Sequence, residues 1–413
     1  MANTPNIRFK GFHDEWEQRK LGEVGTTYTG LSGKTKEDFG HGKGKFITYM
    51  NVFSNAISDL DMIEPIEIDK KQNEVKVGDV FFTTSSETPE EVGMSCVLLE
   101  KCEDTYLNSF CFGYRPTEKF DNKYLAYMLR SSEVRKKITF LAQGISRYNI
   151  SKNKMMEIEI PIPCLSEQEG IGIYFYNLDH LITLHQRKCD EVKQLKKFMF
   201  QKMFPKSGAL IPEIRFAGFT GEWEQRKLGE ITNILSASRV HKEEWKTEGV
   251  PFFRSSDVMA AFKGTKNDKV FISQELFEKL SAISGKPQQG DIFITGGGSI
   301  GTPYIVPNNE PLYSKDADLI WVKKGEKHDS FYLYSYFVSP IFREYLLSIS
   351  HTGTIAHYTI EQVKKTPVFF PSLEEQQKIG VYFSNLDHLI TLHQHKCDEL
   401  QGVKKFMLQN MFV

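Results

Sequence analysis

Between Gln143 and Asn149 the chain reads QGISRYN, which gathers a guanidinium, two carboxamides, a hydroxyl and a phenol into one short stretch. Arg147 has the planar fork that pairs bidentately with guanine O6 and N7, and Gln143 or Asn149 has the donor and acceptor that adenine requires. Ser146 adds a hydroxyl, and Tyr148 offers a stacking face. A second polar segment, Thr84, Ser85 and Ser86, follows the strand-like GDVFFT. The same order returns later: GDIFIT runs into GGGS, with Gly297 and Ser299, and a further polar loop holds Thr354, His357 and Tyr358. Lys34, Lys36, Lys43 and Lys45, in a glycine-rich stretch, suit phosphate contacts, as do Arg239, Lys242, Arg254 and Lys315 in the later segment. These are the candidate DNA-binding residues. Tyr148 and Tyr358 also fit core aromatics.

Nothing in the chain assembles a catalytic constellation. Gly296–Gly301 (GGGSIG) has dinucleotide-motif spacing after a strand, but such a motif must open a helix, and TPYIVP reads as another strand. Ser32-Gly33-Lys34-Thr35 resembles the end of a phosphate loop, yet Tyr28 stands where its first glycine belongs. There is no HExxH. The six cysteines form no CxxC pair, which argues against a zinc site or a disulfide scaffold.

The 413 residues are 40% hydrophobic and 25% charged, as in an ordinary globular protein of two or three domains. No apolar run reaches the ~18 residues of a membrane span, so the expected location is the cytoplasm, without membrane contact. A net charge of −1 argues against a protein that grips nucleic acid through a broad basic surface of its own.

What must position the candidate loops is a frame written twice. Ile7–Glu23 returns as Ile214–Glu230, identical at 14 of 17 positions, and Ile171–Glu191 returns as Ile379–Glu399, identical at 18 of 21. The segments between, about 24–162 and 231–370, barely resemble each other. After IPIPCLSEQ and TPVFFPSLEEQ, apolar residues recur at steps of three and four, which predicts two helices of roughly 37 residues. Ser166 with Glu169, and Ser372 with Glu375, have capping-box spacing. The seams contain Leu178, Ile182, His185, Cys189 and Val192, and Leu386, Ile390, His393, Cys397 and Leu400. So long and narrow a seam needs a partner, and the other copy supplies it. Connectivity makes the pair antiparallel, with Val413 finishing near Met1. His185 and His393, at equivalent positions, suit a polar register residue better than a metal or pH-sensing pair. The expected division is 1–162 and 205–370 for the recognition domains, and 163–204 and 371–413 for the helices. The fold class is α/β (α+β) in two pseudo-symmetric copies, joined by an antiparallel coiled coil.

With WEQRKLGE at Trp16 and Trp223, IPIPCLSEQ and PSLEEQ before the helices, and this duplicated layout, the chain resembles the specificity subunits of type I restriction-modification systems over essentially its full length. The resemblance implies a non-catalytic subunit that binds double-stranded DNA. Each of two target recognition domains would read one half of a bipartite sequence, and the helices would set the gap. It also implies two modification (methyltransferase) subunits docked on the helices, joined by restriction and motor subunits. No cofactor is expected on this chain; S-adenosylmethionine, ATP and Mg would belong to the partners. Unlike inserts on equivalent mounts imply an asymmetric target.

Two other readings compete. A tandem enzyme requires the same catalytic residues in both inserts, which the sequence lacks. A structural coiled-coil adaptor without nucleic acid explains the helices but leaves two large, divergent domains idle.

Overall fold

The computed structural model describes residues 4–206, 208–314, 319–349 and 357–413. The chain forms two compact units: 1–186 with 395–413, and 187–394. The first is built from two separate stretches of chain and the second from one. Each takes part of both long helices, so the units cut across the four-part division expected from the sequence.

In the first unit a four-stranded antiparallel sheet runs in the order Gly25–Thr29, Cys111–Pro116, Val80–Thr83, Ser95–Val97. Beside it lies a three-stranded sheet in which Phe39–Ile47 pairs antiparallel with Ile63–Ile66 and parallel with Thr105–Leu107. The second unit repeats both. Its four-stranded sheet orders Ile234–Leu235, Leu319–Val322, Ile292–Thr295 and Pro303–Ile305, and its three-stranded sheet centres on Val250–Phe253. The strands VFFT and IFIT are buried throughout, as strands covered on both faces must be. Each unit also holds a pair of consecutive helices, Asn122–Met128 and Ser132–Phe140 in the first, Ser330–Val338 and Pro340–Ile349 in the second. Ser131 and Ser339 stand at the breaks in extended conformation. The mixed α/β reading of the inserts holds.

The repeated sequence builds one frame in each unit. EQRK pairs antiparallel with the strand before the long helix, Glu17 opposite Ile162 in one unit and Glu224 opposite Phe370 in the other. Arg8 Nε and Nη2 donate to Glu167 at 2.6 and 2.8 Å, and Arg215 does the same to Glu375 at 2.6 and 2.7 Å. Both carboxylates are buried. Gln168 Oε1 accepts from the Asp121 amide, as Gln376 Oε1 does from Asp329. Gly172 and Gly380 let the long helix approach the helix that Asp121 or Asp329 caps: a Cβ would sit 2.4 Å from Asp121 Oδ1 in one and 2.5 Å from Asp329 Oδ1 in the other.

The long helices are Leu165–Lys202 and Leu373–Asn410, 38 residues each. One capping expectation is corrected. The first helix begins at Leu165, so Cys164 holds the cap position and Ser166 falls inside the first turn, where it cannot form a box with Glu169. Ser372 does cap, accepting from the Glu375 amide at 3.3 Å, but the Glu375 carboxylate goes to Arg215 rather than back to the cap.

Antiparallel pairing is present in each unit, with the helices exchanging roles. In the first, Lys404 Nζ donates to Asp179 at 2.5 Å, the Cys397 thiol to the Ile182 carbonyl at 3.5 Å, and Phe175 stacks on Phe412. In the second, Lys196 pairs with Asp387, the Cys189 thiol donates to the Ile390 carbonyl at 3.8 Å, and Phe200 stacks on Phe383. Leu178, Leu386, Cys189, Cys397 and Leu400 are buried, while Ile182, Val192, Ile390, His185 and His393 are half-buried. The termini of the first unit meet where Ile7 N donates to Asn410 O at 2.9 Å. Among the described residues no helix is long and apolar enough to cross a membrane.

Candidate nucleic-acid interface

The two polar segments of the first insert, far apart in sequence, form one structure. Tyr148–Asn149 pairs antiparallel with Ser85–Ser86, and Ile150 N donates to Thr84 O at 3.0 Å. Gln143 and Asn149 exchange both backbone hydrogen bonds at 3.0 and 2.9 Å, closing residues 144–148 into a tip. Gly144 is required there. Its φ is +147°, and a Cβ would meet the Arg147 carbonyl oxygen at 2.0 Å.

The expected contact residues divide into exposed and buried side chains. Gln143, Ser146, Arg147 and Asn149 are exposed at the tip, whereas Tyr148 is half-buried against the core. Ser85 and Ser86, taken from sequence as contacts, have buried side chains. Ser85 Oγ accepts from Arg147 Nε at 3.2 Å, Ser86 Oγ donates to Glu91 at 3.1 Å, and Thr84 Oγ1 donates to the Phe110 carbonyl at 2.8 Å. They hold the tip rather than face outward, because the two-residue strand turns them under the hairpin. Among the described residues of the first unit, Arg147 is the one arginine that no carboxylate or carbonyl claims. Arg8, Arg19 and Arg115 bind carboxylates, while Arg130 and Arg135 bind backbone carbonyls. A guanidinium anchored through Nε, with its other nitrogens uncommitted, is set for a bidentate acceptor.

The lysines split as well. Lys36, Lys43 and Lys45 are exposed and pair with no carboxylate, and Lys43 lies where the strand Phe39–Ile47 shifts register against its neighbour. Lys34 is instead bound to Asp69 at 3.0 Å, and that ion pair holds the Asp69 carboxyl down at about 2. Its expected phosphate role is corrected: the ammonium is already used. The lysine strand leads directly to Tyr49, whose hydroxyl donates to the Ser85 carbonyl at 2.7 Å.

In the second unit, Gly296–Ile300 is the turn between strands Ile292–Thr295 and Pro303–Ile305, closed by Gly301 N to Thr295 O at 2.7 Å. A strand follows the glycines, so the dinucleotide motif is excluded as expected. Gly297 is half-buried and Ser299 exposed, with the Ser299 carbonyl accepting from Thr295 and Thr302. Tyr358 N donates to Gly296 O at 2.8 Å, the bond that Ile150 makes to Thr84 in the first unit. Tyr358 therefore corresponds to Ile150, not to Tyr148. It is 1% exposed with its hydroxyl on Thr366, so its role as a stacking face is corrected to a core one. His357, one residue before, is exposed. Arg254 is bound to Asp257 through Nε at 2.8 Å and Nη2 at 3.2 Å, donates from Nη2 to the Asp268 carbonyl, and lies over Trp245. Arg239 and Lys242 are exposed. Lys315 and Thr354 lie outside the described residues.

Three large apolar side chains escaped the sequence reading. Ile145 at the hairpin tip is 97% exposed, Phe110 58% and Met50 53%. The only sequence signal was an aliphatic residue inside an otherwise polar loop.

A family model described as "Type I restriction modification DNA specificity domain" matches residues 13–194 and again 220–401. The chain is 23% identical over 409 residues to a putative type I restriction enzyme MjaX specificity subunit of Methanocaldococcus jannaschii, across 95% of this chain and 91% of that protein. It is 26% identical over 305 residues to the type I restriction enzyme MjaVIII specificity subunit of the same organism, covering 69% and 68%. Among solved structures, the type I restriction-modification S subunit from M. genitalium shares the fold, with a TM-score of 0.62 over 99% of both chains at 16% identity.

Proposed function

The chain belongs to the family of type I restriction-modification DNA specificity domains, and from that premise we propose that it is the non-catalytic sequence-reading subunit of a DNA-methylating and restricting complex. Each unit carries one target recognition domain, and each domain reads one half of an asymmetric bipartite site on double-stranded DNA. One observation carries the reading: the frames repeat the same buried ion pair, Arg8–Glu167 in one unit and Arg215–Glu375 in the other, while the loops they carry differ. In the first domain Arg147 pairs with guanine, Gln143 or Asn149 addresses adenine, and Lys36, Lys43 and Lys45 meet phosphates.

The paired helices set the spacing between half-sites and dock two modification subunits. Support comes from the surface that the pairing leaves uncovered. The first unit exposes Ile173, Leu181, Val403 and Phe406, and the second exposes their equivalents Val381, Leu389, Leu195 and Phe198. Two like apolar surfaces suit two copies of one partner. Restriction and motor subunits complete the complex. S-adenosylmethionine, ATP and Mg belong to those partners, and this chain binds none of them. With a formal charge of −1, it relies on its partners for much of the phosphate contact.

Footprinting of the chain with and without its modification subunits tests the proposal. Two short protected blocks with an unprotected gap are expected in the complex. Protection of one continuous block, or none, contradicts it.

A further inference from the structure

The reading hairpin carries a residue that hydrogen-bond chemistry does not explain. Ile145 stands at its tip, 97% exposed, two residues from Arg147, on a turn fixed by Gly144 and by the Gln143–Asn149 pair. Phe110 is exposed on a turn and Met50 on the helix Tyr49–Ser54; Phe110 is tied through its carbonyl to Thr84, and Met50 through the adjacent Tyr49 to Ser85. A β-branched side chain held in water at the tip gains nothing for the folded monomer. Apolar surface concentrated around uncommitted polar groups marks a binding face.

We propose that Ile145 is a specificity-determining residue that contacts the C5-methyl of a thymine in the half-site of the first recognition domain. This rests on the base-reading function proposed above and names one base feature it recognises. The occupant follows from chemistry. Arg147, Gln143 and Asn149 beside it suit the major-groove edges of guanine and adenine, and that groove admits a two-stranded ribbon. The thymine methyl is the apolar feature of that edge, and an aliphatic side chain beside a guanine-pairing arginine is placed to meet it. Ile145 recognises the methyl by excluding water from it, so cytosine or uracil at that position loses the contact.

The full chain is assembled with its modification subunits on a duplex carrying its mapped target, and each thymine of the first half-site is replaced in turn by deoxyuridine. Deoxyuridine keeps the Watson–Crick pair and removes only the methyl. For the native complex, one position should weaken binding about fourfold, the equivalent of one buried methyl at ~0.8 kcal/mol. Ile145→Ala should weaken binding to the thymine duplex by at least as much and abolish the deoxyuridine effect at that position. The tip residue is outside the core, so the variant folds, and an unchanged urea midpoint confirms it. The proposal is overturned if no thymine in that half is sensitive, if the half contains no A·T pair, or if Ile145→Ala keeps the deoxyuridine penalty. It is also overturned if the variant weakens assembly with the modification subunits without DNA, which makes the tip a protein contact. A native complex that does not prefer its mapped duplex over a shuffled one fails the function itself, and Ile145 with it.

Discussion

Arg8 and Glu167, 159 residues apart, form a two-pronged ion pair at the first turn of the long helix, with the carboxylate 1% exposed and also accepting from Trp16 Nε1 at 3.1 Å. Removing one member leaves a buried charge or donor unmatched, which costs roughly 3–5 kcal/mol. Glu167→Ala and Glu375→Ala should each lower stability by about that much in urea unfolding at pH 7. The loss should be larger for Glu167, because the Trp223 Nε1 has no partner to lose.

The glycines of the long helices are not equivalent. Gly172→Ala sets a Cβ against Asp121 Oδ1 and 2.7 Å from the Tyr124 amide, with the same clash at Gly380, and should destabilise by about 1–3 kcal/mol. Gly402 has nothing within 4 Å of a Cβ, so Gly402→Ala should stabilise by about 0.5–1 kcal/mol. Thermal unfolding of the two variants should shift the midpoint in opposite directions.

His328 is 4% exposed, its Nδ1 has no hydrogen-bond partner, and burial pushes its pKa down to about 4. The unfolded chain takes up a proton near pH 6.5 that the folded state refuses until about 4. The contribution is thus complete above pH 6.5 and lost as pH falls toward 4. His328→Leu should therefore show a smaller drop in unfolding free energy from pH 7 to 4.5 than the native chain, by about 2–3 kcal/mol. Equal drops would contradict this.

Arg147→Ala removes the guanidinium that Ser85 anchors through Nε and that no carboxylate or carbonyl of the first unit claims. It should cost about 1–3 kcal/mol of discrimination at one base pair of one half-site and leave the other half unchanged. Methylation rates on a set of single-substitution duplexes measure this, and equal relaxation in both halves would refute the assignment.

The helices were legible because a seam at steps of three and four over 38 residues admits no other regular structure. The cap of the first was not. Ser166 looked like a cap because serine prefers that place, but tertiary bonding to Glu167 starts the helix before it. The pairing of Arg8 with Glu167 had no local signal, since only the folded frame brings them together. Polar residue type picked out the two segments that pair in the hairpin but could not separate Arg147, which faces out, from Ser85, which turns under it to hold the arginine. That distinction depends on strand register, and a two-residue strand carries too little pattern to set one.

The central claim is that two unlike heads on equivalent frames each read half of one DNA site. It is tested most directly by exchanging residues 232–366 for the corresponding insert of another specificity subunit and mapping methylated adenines across the genome of cells that express the chimera with its modification subunits. The first half of the methylated sequence should be retained and only the second replaced, with the gap unchanged. A chimera that methylates the original sequence, or one whose both halves change, would contradict the account.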